Sequence, residues 1–346
     1  MNLNVNILVT GGLGFIGSHI CVTLLENNYN VIVIDNLSNS KIDVLDKIKF
    51  ITKRDNITFC QEDLLDKNKI TEIFKNNNIH GIIHCAGLKS VGESIQQPLK
   101  YYYENLTMTI NLLQIIKQYS IKKFVFSSSA TVYGSVPNDE PFKETDTIGQ
   151  NITNPYGQTK FMQEVMLKDY ASKNKDTNFI ILRYFNPVGA HKSGLIGENP
   201  NGIPNNLMPY ILRVAANNNT LGFNENVYEK LTIFGNDYNT KDGTCIRDFI
   251  HVVDLANAHL KAIQYNPKDN YEVFNIGTGN GNSVLEMVET FKKVNNVELS
   301  YVYGSRREGD PDIVTCITSK ANEKLGWKTK LTFEDMVKDS WNFIIN

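Results

Sequence analysis

Through the first half of the chain, short β-branched apolar runs alternate with longer stretches whose apolar positions recur at helical spacing. The runs Asn6–Thr10, Tyr29–Ile34, Asn56–Cys60, Ile79–His84, Lys123–Phe126 and Phe179–Tyr184 read as buried strands. Between them, the residues after Gly17, Lys67 to Lys75, Pro98 to Tyr119 and the segment carrying Tyr156 read as helices. Repeated strand–helix units with short connections predict an α/β fold, a Rossmann-type doubly wound parallel sheet covered on both faces. The pattern assigns residues 1–185 to a nucleotide-binding domain and 186–346 to a smaller, less regular α/β lobe. In that lobe Leu207–Asn217 and His251–Gln264 read as helices, Leu231–Phe234 as a short strand and Leu331 onward as a terminal helix. Glu272–Asn275 reads as a strand that returns to the main sheet, so the two parts interleave. Residues 222–230 read as an exposed loop or β-excursion, and Asn76–Asn78 and Asn217–Asn219 as solvated ends.

Composition narrows the function classes. With 346 residues, 41% of them hydrophobic, the chain is long enough for a substantial core. A net charge of −2 argues against an electrostatic nucleic-acid footprint. No run approaches the about 18 apolar residues needed to span a bilayer, and a strand begins within a few residues of Met1, so no membrane segment or leader is expected. Cys21, Cys60, Cys85, Cys245 and Cys316 are scattered without a paired spacing, as suits the cytoplasm better than a disulfide framework or zinc site. The six histidines show no metal-ligand spacing and read as structural residues; no metal is expected.

The first strand breaks into Gly11-Gly-Leu-Gly-Phe-Ile-Gly17 and then a helix, the arrangement that presents backbone N–H groups to a pyrophosphate. Gly11, Gly14 and Gly17, with Phe15 and Ile16 between them, are the candidate cradle. Asp35, ending the second strand, sits where a carboxylate would hydrogen-bond an adenosine ribose and repel a 2′-phosphate, which points to NAD rather than NADP. Ligands of such sheets lie beyond the carboxyl ends of the strands, where Asp63, Cys85 to Lys89, Ser127 to Thr131 and Phe185 to Pro187 also fall. Tyr156 and Lys160 lie one helical turn apart and follow the Ser127-Ser-Ser129 run. A phenol of ordinary pKa near ~10 is a poor base at neutral pH, but a nearby cation makes its phenolate usable.

Several motifs in fixed order resemble those of the UDP-glucose 4-epimerase family, a branch of the extended short-chain dehydrogenase/reductases. They are Thr10–Gly17, Ala86–Ser94, Ser127–Gly134, Tyr156–Lys160, Arg183–Ala190, Ile203–Tyr210, Phe234–Tyr238, Arg247–His251 and Arg306–Asp310. The resemblance implies a mechanism. Tyr156, held as phenolate by Lys160 and the nicotinamide, takes the proton of the sugar 4-hydroxyl while C4 gives hydride to NAD. Ser129 bonds the same oxygen and relays the proton, with Thr131 beside it. The 4-keto sugar then turns over and receives the hydride on its other face, so NAD stays bound and the substrate is gripped by its UDP.

The resemblance extends the cofactor set to Asn36, Asn39, Ser40, Leu64, Cys85, Ala86, Gly87, Lys89, Asn105, Ser127 and Tyr184. It assigns the UDP-hexose to Lys89, Phe185, Asn186, Asn206, Leu207, Phe234, Arg247, Arg307 and Asp310, with the two arginines as phosphate clamps. Read without it, Arg247 beside Asp248 is a surface ion pair and Arg306-Arg307 an ordinary charged turn. Val314, four residues after Asp310, lines the pocket near the sugar 2-substituent in this family; a residue of this size implies use of N-acetylated UDP-hexoses as well. A 4,6-dehydratase would need an acidic pair where Ala130 and Thr131 stand. A UDP-uronate epimerase or decarboxylase, or a non-catalytic NAD and UDP-sugar sensor, are the remaining alternatives. The resemblance also implies a homodimer formed through the Pro98–Tyr119 helix and the helix of Tyr156.

Overall fold

The computed structural model describes residues 5–135, 140–202, 204, 206–218, 229–307 and 309–346. In chain order its first half holds β1 (Asn6–Thr10), α1 (Phe15–Glu26), β2 (Asn30–Ile34), α2 (Asp43–Thr52), β3 (Ile57–Cys60) and α3 (Lys67–Asn76). There follow β4 (Ile79–His84), α4 (Val91–Gln96), α5 (Pro98–Tyr119), β5 (Lys123–Ser129), α6 (Pro155–Lys173) and β6 (Asn178–Tyr184). The second half adds β7 (Asn186–Val188), α7 (Leu207–Asn218), β8 (Leu231–Phe234), β9 (Ile246–Arg247), β10 (Phe249–His251) and α8 (Val252–Gln264). It ends with β11 (Tyr271–Ile276), β12 (Asn282–Ser283), α9 (Val284–Asn295), β13 (Tyr301–Gly304), β14 (Ile313–Val314) and α10 (Phe333–Ile345). Most of the loop expected over 222–230 lies outside the described residues, as does Asn219.

Seven strands form one parallel sheet in the order β11-β6-β5-β4-β1-β2-β3. This is the doubly wound order with the chain reversing between β1 and β4, extended at one edge by β11. The fold class expected from the alternation is therefore the observed one. Because side chains alternate along a strand, each strand feeds two cores. Val9, Val31, Val33, Ile83, Val125, Ile180 and Leu182 face α1 and α8, while Leu8, Ile32, Ile82, Phe124, Phe126 and Ile181 face α3, α5 and α6. At roughly 1.5–3 kcal/mol for each fully buried side chain, shifting any strand by one residue would forfeit many such terms at once, which fixes the register. A third core joins α7, β8, α9 and α10. No helix among the described residues is long and apolar enough to cross a membrane.

Local signals set the ends of the elements. Pro155 opens α6 behind an Asn154 side chain that accepts the Gly157 N–H at 2.9 Å. The expected helix at His251 starts one residue later, because His251 is still extended against Val188 and its Nδ1 accepts the Val253 N–H. The terminal helix begins at Phe333 rather than Leu331. Asp254 accepts the Lys330 and Leu331 N–H groups at 2.8 and 2.9 Å, and Thr332 makes the cap.

One buried ion pair ties the helix of Tyr156 to the sheet. Arg183 on β6 donates to both carboxylate oxygens of Glu164 on α6 at 2.7–3.2 Å, and both side chains are almost fully buried. Ser128 donates to the same carboxylate at 2.5 Å, and Arg183 also reaches the Tyr133 hydroxyl, which bonds Asn275 on β11. Burial opposes charge on Arg183, and Glu164 overcomes that cost by hydrogen bonding and attraction. Removing one partner strands the other, so Arg183→Met should lower unfolding free energy by about 3–5 kcal/mol, whereas the double change with Glu164→Leu should recover most of it. Urea unfolding of both variants checks this; equal losses would show that packing, and not an unpaired charge, sets the cost.

Candidate active site

The glycine loop is a turn that only small backbones allow. Gly11 adopts φ 65°, and a Cβ there would press on the Ala86 backbone at 3.0 Å. A Cβ at Gly17 would collide with the Gly11 carbonyl oxygen, so the first turn of α1 packs directly on the loop. Gly14 is the N-cap of α1 and carries no capping side chain, which leaves the helix N-terminus open to an anion. Asp35 follows β2 and is nearly buried. One carboxylate oxygen accepts the Leu13 N–H at 3.0 Å, and the other accepts the Leu37 N–H and Ser40 hydroxyl at 3.0 and 2.8 Å. Asp35 thus braces the glycine loop while keeping lone pairs for a further donor. Asn36 donates to Asp63 at 2.9 Å, and Asp63 accepts the Leu65 N–H, which seats Leu64 in the core under α5. Asn39 accepts the Asn201 N–H at 3.3 Å, the point where the second half reaches over this edge.

At the switch point, Thr10 accepts the N–H groups of Cys85 and Ala86 at 3.2 Å, fixing the turn that carries Gly87 and Lys89. Asn105 on α5 clamps the same turn through the Leu88 N–H and carbonyl and bonds Thr159 on α6. Two histidines read as structural from the sequence lie directly beneath. His84 bridges Thr10 and Thr109, and His259 bonds Ser127 at 2.9 Å. Burial lowers both, to about 3 and about 4, so both are neutral. Nothing in their sequence spacing distinguishes them; only their places at the ends of β4 and on α8 do.

β5 carries Ser127 and Ser129 past the end of β4, opposite Leu182 and Tyr184 of β6. Tyr156 and Lys160 come to this end from α6, and both are buried. Burial raises the Tyr156 phenol above its usual range, and the neighbouring Ser129 hydroxyl draws it back. Lys160 donates to the Ser127 carbonyl at 2.8 Å and lies 4.8 Å over the Phe126 ring. Burial brings its ammonium down to about 8, against the opposing pull of Cys85 and Glu164. Ser129 also accepts the Thr131 N–H at 3.2 Å. The Thr131 hydroxyl is buried with no partner among the described residues, a free polar valence beside the first turn of α6. The Cys85 thiol meets the Ser127 hydroxyl at 3.1 Å.

The second half closes the opposite wall. Phe185 and Val314 share a small core with Val132, Tyr133 and Phe142, and Asn186 opens β7. Val314 pairs with Arg247, bringing two distant parts of the sequence together. Arg247 is bound not to Asp248 but to Asp310, at 2.8 Å; Asp248 is buried and accepts from Thr278 and Gly279. Arg307 stacks 4.2 Å over Phe234. Lys89 reaches Glu198 at 2.7 Å, and Asn206, just before Leu207 opens α7, donates to the same oxygen. Glu198 was not among the residues singled out by sequence, since a lone acid in a Gly/Asn/Pro-rich loop carries no signal. Among the described residues no cluster of His, Cys, Asp or Glu could hold a metal.

A crevice with a bare helix N-terminus, a braced ribose-type carboxylate and a Ser–Tyr–Lys group at the strand ends suits a dinucleotide beside an alcohol. Comparison with known proteins agrees. Residues 7–277 match the model of the NAD dependent epimerase/dehydratase family. The UDP-glucose 4-epimerase of Bacillus subtilis is 51% identical over 340 residues, covering 97% of this chain and 96% of that protein. The crystal structure of UDP-glucose 4-epimerase from Bifidobacterium longum in complex with NAD+ and UDP superposes with a TM-score of 0.91 at 42% identity, covering 98% of each chain. The UDP-Glc/GlcNAc 4-epimerase of Campylobacter jejuni superposes at 0.83 with 35% identity, covering 99% of each. Its glycine loop, its Ser–Tyr–Lys group and this likeness along its whole length make the chain a member of the NAD dependent epimerase/dehydratase family, in its UDP-glucose 4-epimerase branch.

Proposed function

We propose that the protein interconverts UDP-glucose and UDP-galactose by NAD-dependent inversion at C4. The observation that carries this reading is the buried Tyr156, beside Ser129 and one helix turn from Lys160, whose ammonium is held by the Ser127 carbonyl. Bound NAD would supply reversible hydride acceptance at the sugar C4. The chain's own residues do the rest. Tyr156 takes the 4-hydroxyl proton, Ser129 holds that oxygen, and the Lys160 charge one helical turn away would favour the phenolate that burial resists. Gly11, Gly14, Gly17, Asp35, Asp63 and Asn105 hold the cofactor. Arg247, Arg307, Asp310, Asn206 and Phe234 hold the UDP, so that the sugar ring itself is free to present either face.

The Arg247–Asp310 pair supports a preset clamp, because Asp310 and the carbonyls of Ile246 and Pro311 fix the guanidinium before substrate arrives. Val314, packed between Phe185 and the Arg247 strand, supports a pocket with room for a 2-acetamido group, in line with the dual-substrate name of the Campylobacter jejuni protein. The exposed apolar residues Leu99, Tyr103 and Ile110 on α5 and Met162 and Val165 on α6 support a homodimer through a four-helix contact. Five free cysteines support a cytoplasmic location.

Proton NMR of UDP-galactose mixed with purified protein, without added NAD, should show UDP-glucose appearing at a stable ratio. Absence of conversion even after NAD is added would overturn the reading. Tyr156→Phe should lower kcat on the order of 10²–10⁴-fold with KM little changed. Wild-type turnover by that variant would remove Tyr156 from the chemistry. Val314→Tyr should abolish turnover of the N-acetylated pair while sparing UDP-glucose and UDP-galactose; parallel loss on both pairs would count against the pocket assignment. Leu99→Glu combined with Val165→Glu should give monomers by sedimentation velocity, and an unchanged dimer would place the interface elsewhere.

A further inference from the structure

Beneath Lys160 lies a chain of hydrogen bonds whose proton positions the geometry dictates. The Nδ1 atom of His259 is 2.9 Å from the Leu255 carbonyl, and a carbonyl only accepts, so Nδ1 carries the proton. The ring is buried and neutral, which leaves Nε2 bare. Its partner at 2.9 Å is the Ser127 hydroxyl, which must therefore donate. A hydroxyl has one proton. With that proton directed at His259, Ser127 can only accept from its other partner, the Cys85 thiol at 3.1 Å.

We propose that His259 is a positioning residue for the reaction: by accepting the Ser127 hydroxyl in a hydrogen bond it fixes the residue whose carbonyl holds the Lys160 ammonium and whose hydroxyl meets Cys85. This rests on the epimerase reading above and deepens it. His259 touches neither Tyr156 nor the glycine loop through any hydrogen bond among the described residues. Its hydrogen bond toward the site runs to Ser127, and its ring also lies 6.4 Å from that of Tyr184. It also sits on α8, which follows β10 directly, with His251 as cap; β10 in turn pairs with β7. The alignment of Lys160 is thereby referred to the second half of the chain. Without a bare nitrogen at this place the Ser127 proton would be free to turn toward Cys85, reversing that bond while the Ser127 carbonyl goes on accepting from Lys160.

Two variants and one spectrum test this. His259→Phe keeps the ring and removes the acceptor; it should lower kcat for UDP-galactose about 10- to 100-fold with KM nearly unchanged. His259→Gln places an amide oxygen where Nε2 stood and should restore most of the lost rate. Adding His259→Phe to Ser127→Ala should cost little beyond Ser127→Ala alone, since both remove the same bond. Independently of turnover, ¹⁵N-histidine NMR of the wild-type holoenzyme should show His259 as the neutral Nδ1–H tautomer. An Nε2–H tautomer would overturn the proposal even if His259→Phe failed to fold. So would a Gln variant as slow as the Phe variant, or a Phe variant that loses thermal stability but not kcat. A wild-type protein unable to convert UDP-galactose would fell the epimerase reading and the catalytic role with it, while the tautomer would still decide the direction of the bond.

Discussion

The site is organised around an ammonium group kept out of water. An isolated buried lysine would shed its proton to escape the desolvation cost, and the fall of Lys160 to about 8 shows that this pressure is only partly answered. What answers it is a strand that outruns its neighbour. β4 ends at His84, opposite Phe126, while β5 continues to Ser129 with a partner on one side only. The Ser127 carbonyl is consequently available to Lys160, and the aromatic face of Phe126 offers a second, weaker attraction. Glu164, one turn further along α6, adds negative charge at a distance while its own bonds are committed to Arg183 and Ser128. An unequal pair of strands thus sustains a charge where a phenol needs one.

This explains why polar residues crowd the ends of otherwise apolar strands. Thr10, Asp35, His84, Ser127 and Ser129 each lie within two residues of the carboxyl end of a strand, and each is buried and hydrogen-bonded. Each bond contributes only about 0.5–1.5 kcal/mol net, yet leaving any of these groups unpaired would cost more, so the network is specified by what it avoids. The rigidity that results suits a reaction in which only the sugar ring has to move.

The central sheet was legible because its strands are buried on both faces and stand out as unbroken apolar runs, and because glycines and a carboxylate mark the first two strand ends. Long helices with proline at their start, such as Pro98–Tyr119, were equally plain. The second half was read only in pieces. Its strands β9, β12 and β14 are two residues long, too short for any periodicity, and derive their meaning from one another. Helix α9 was passed over although Ser283 and Glu286 form a capping box at its start. At the site, the motif-bearing residues could be proposed from sequence, but the actual partner of Arg247, the anchoring role of Glu198 and the bonds of His84 and His259 depend on contacts between remote segments. A single acid or histidine without a neighbour of its own kind leaves no pattern to read.

The edge strand β11 carries a consequence for how the molecule comes into being. Its pairing with β6 completes the seven-stranded sheet, yet β7, α7, β8, β9, β10 and α8 are all synthesised before it emerges. Until then β6 presents a bare row of backbone donors and acceptors, and the Tyr133 hydroxyl lacks its Asn275 partner. A contact between segments so far apart in sequence closes late, because the entropy of the intervening loop must be overcome first. The nascent chain therefore passes through a period in which its catalytic strand neighbourhood is open to pairing with other chains, and shelter during synthesis would govern its yield as much as the stability of the finished fold.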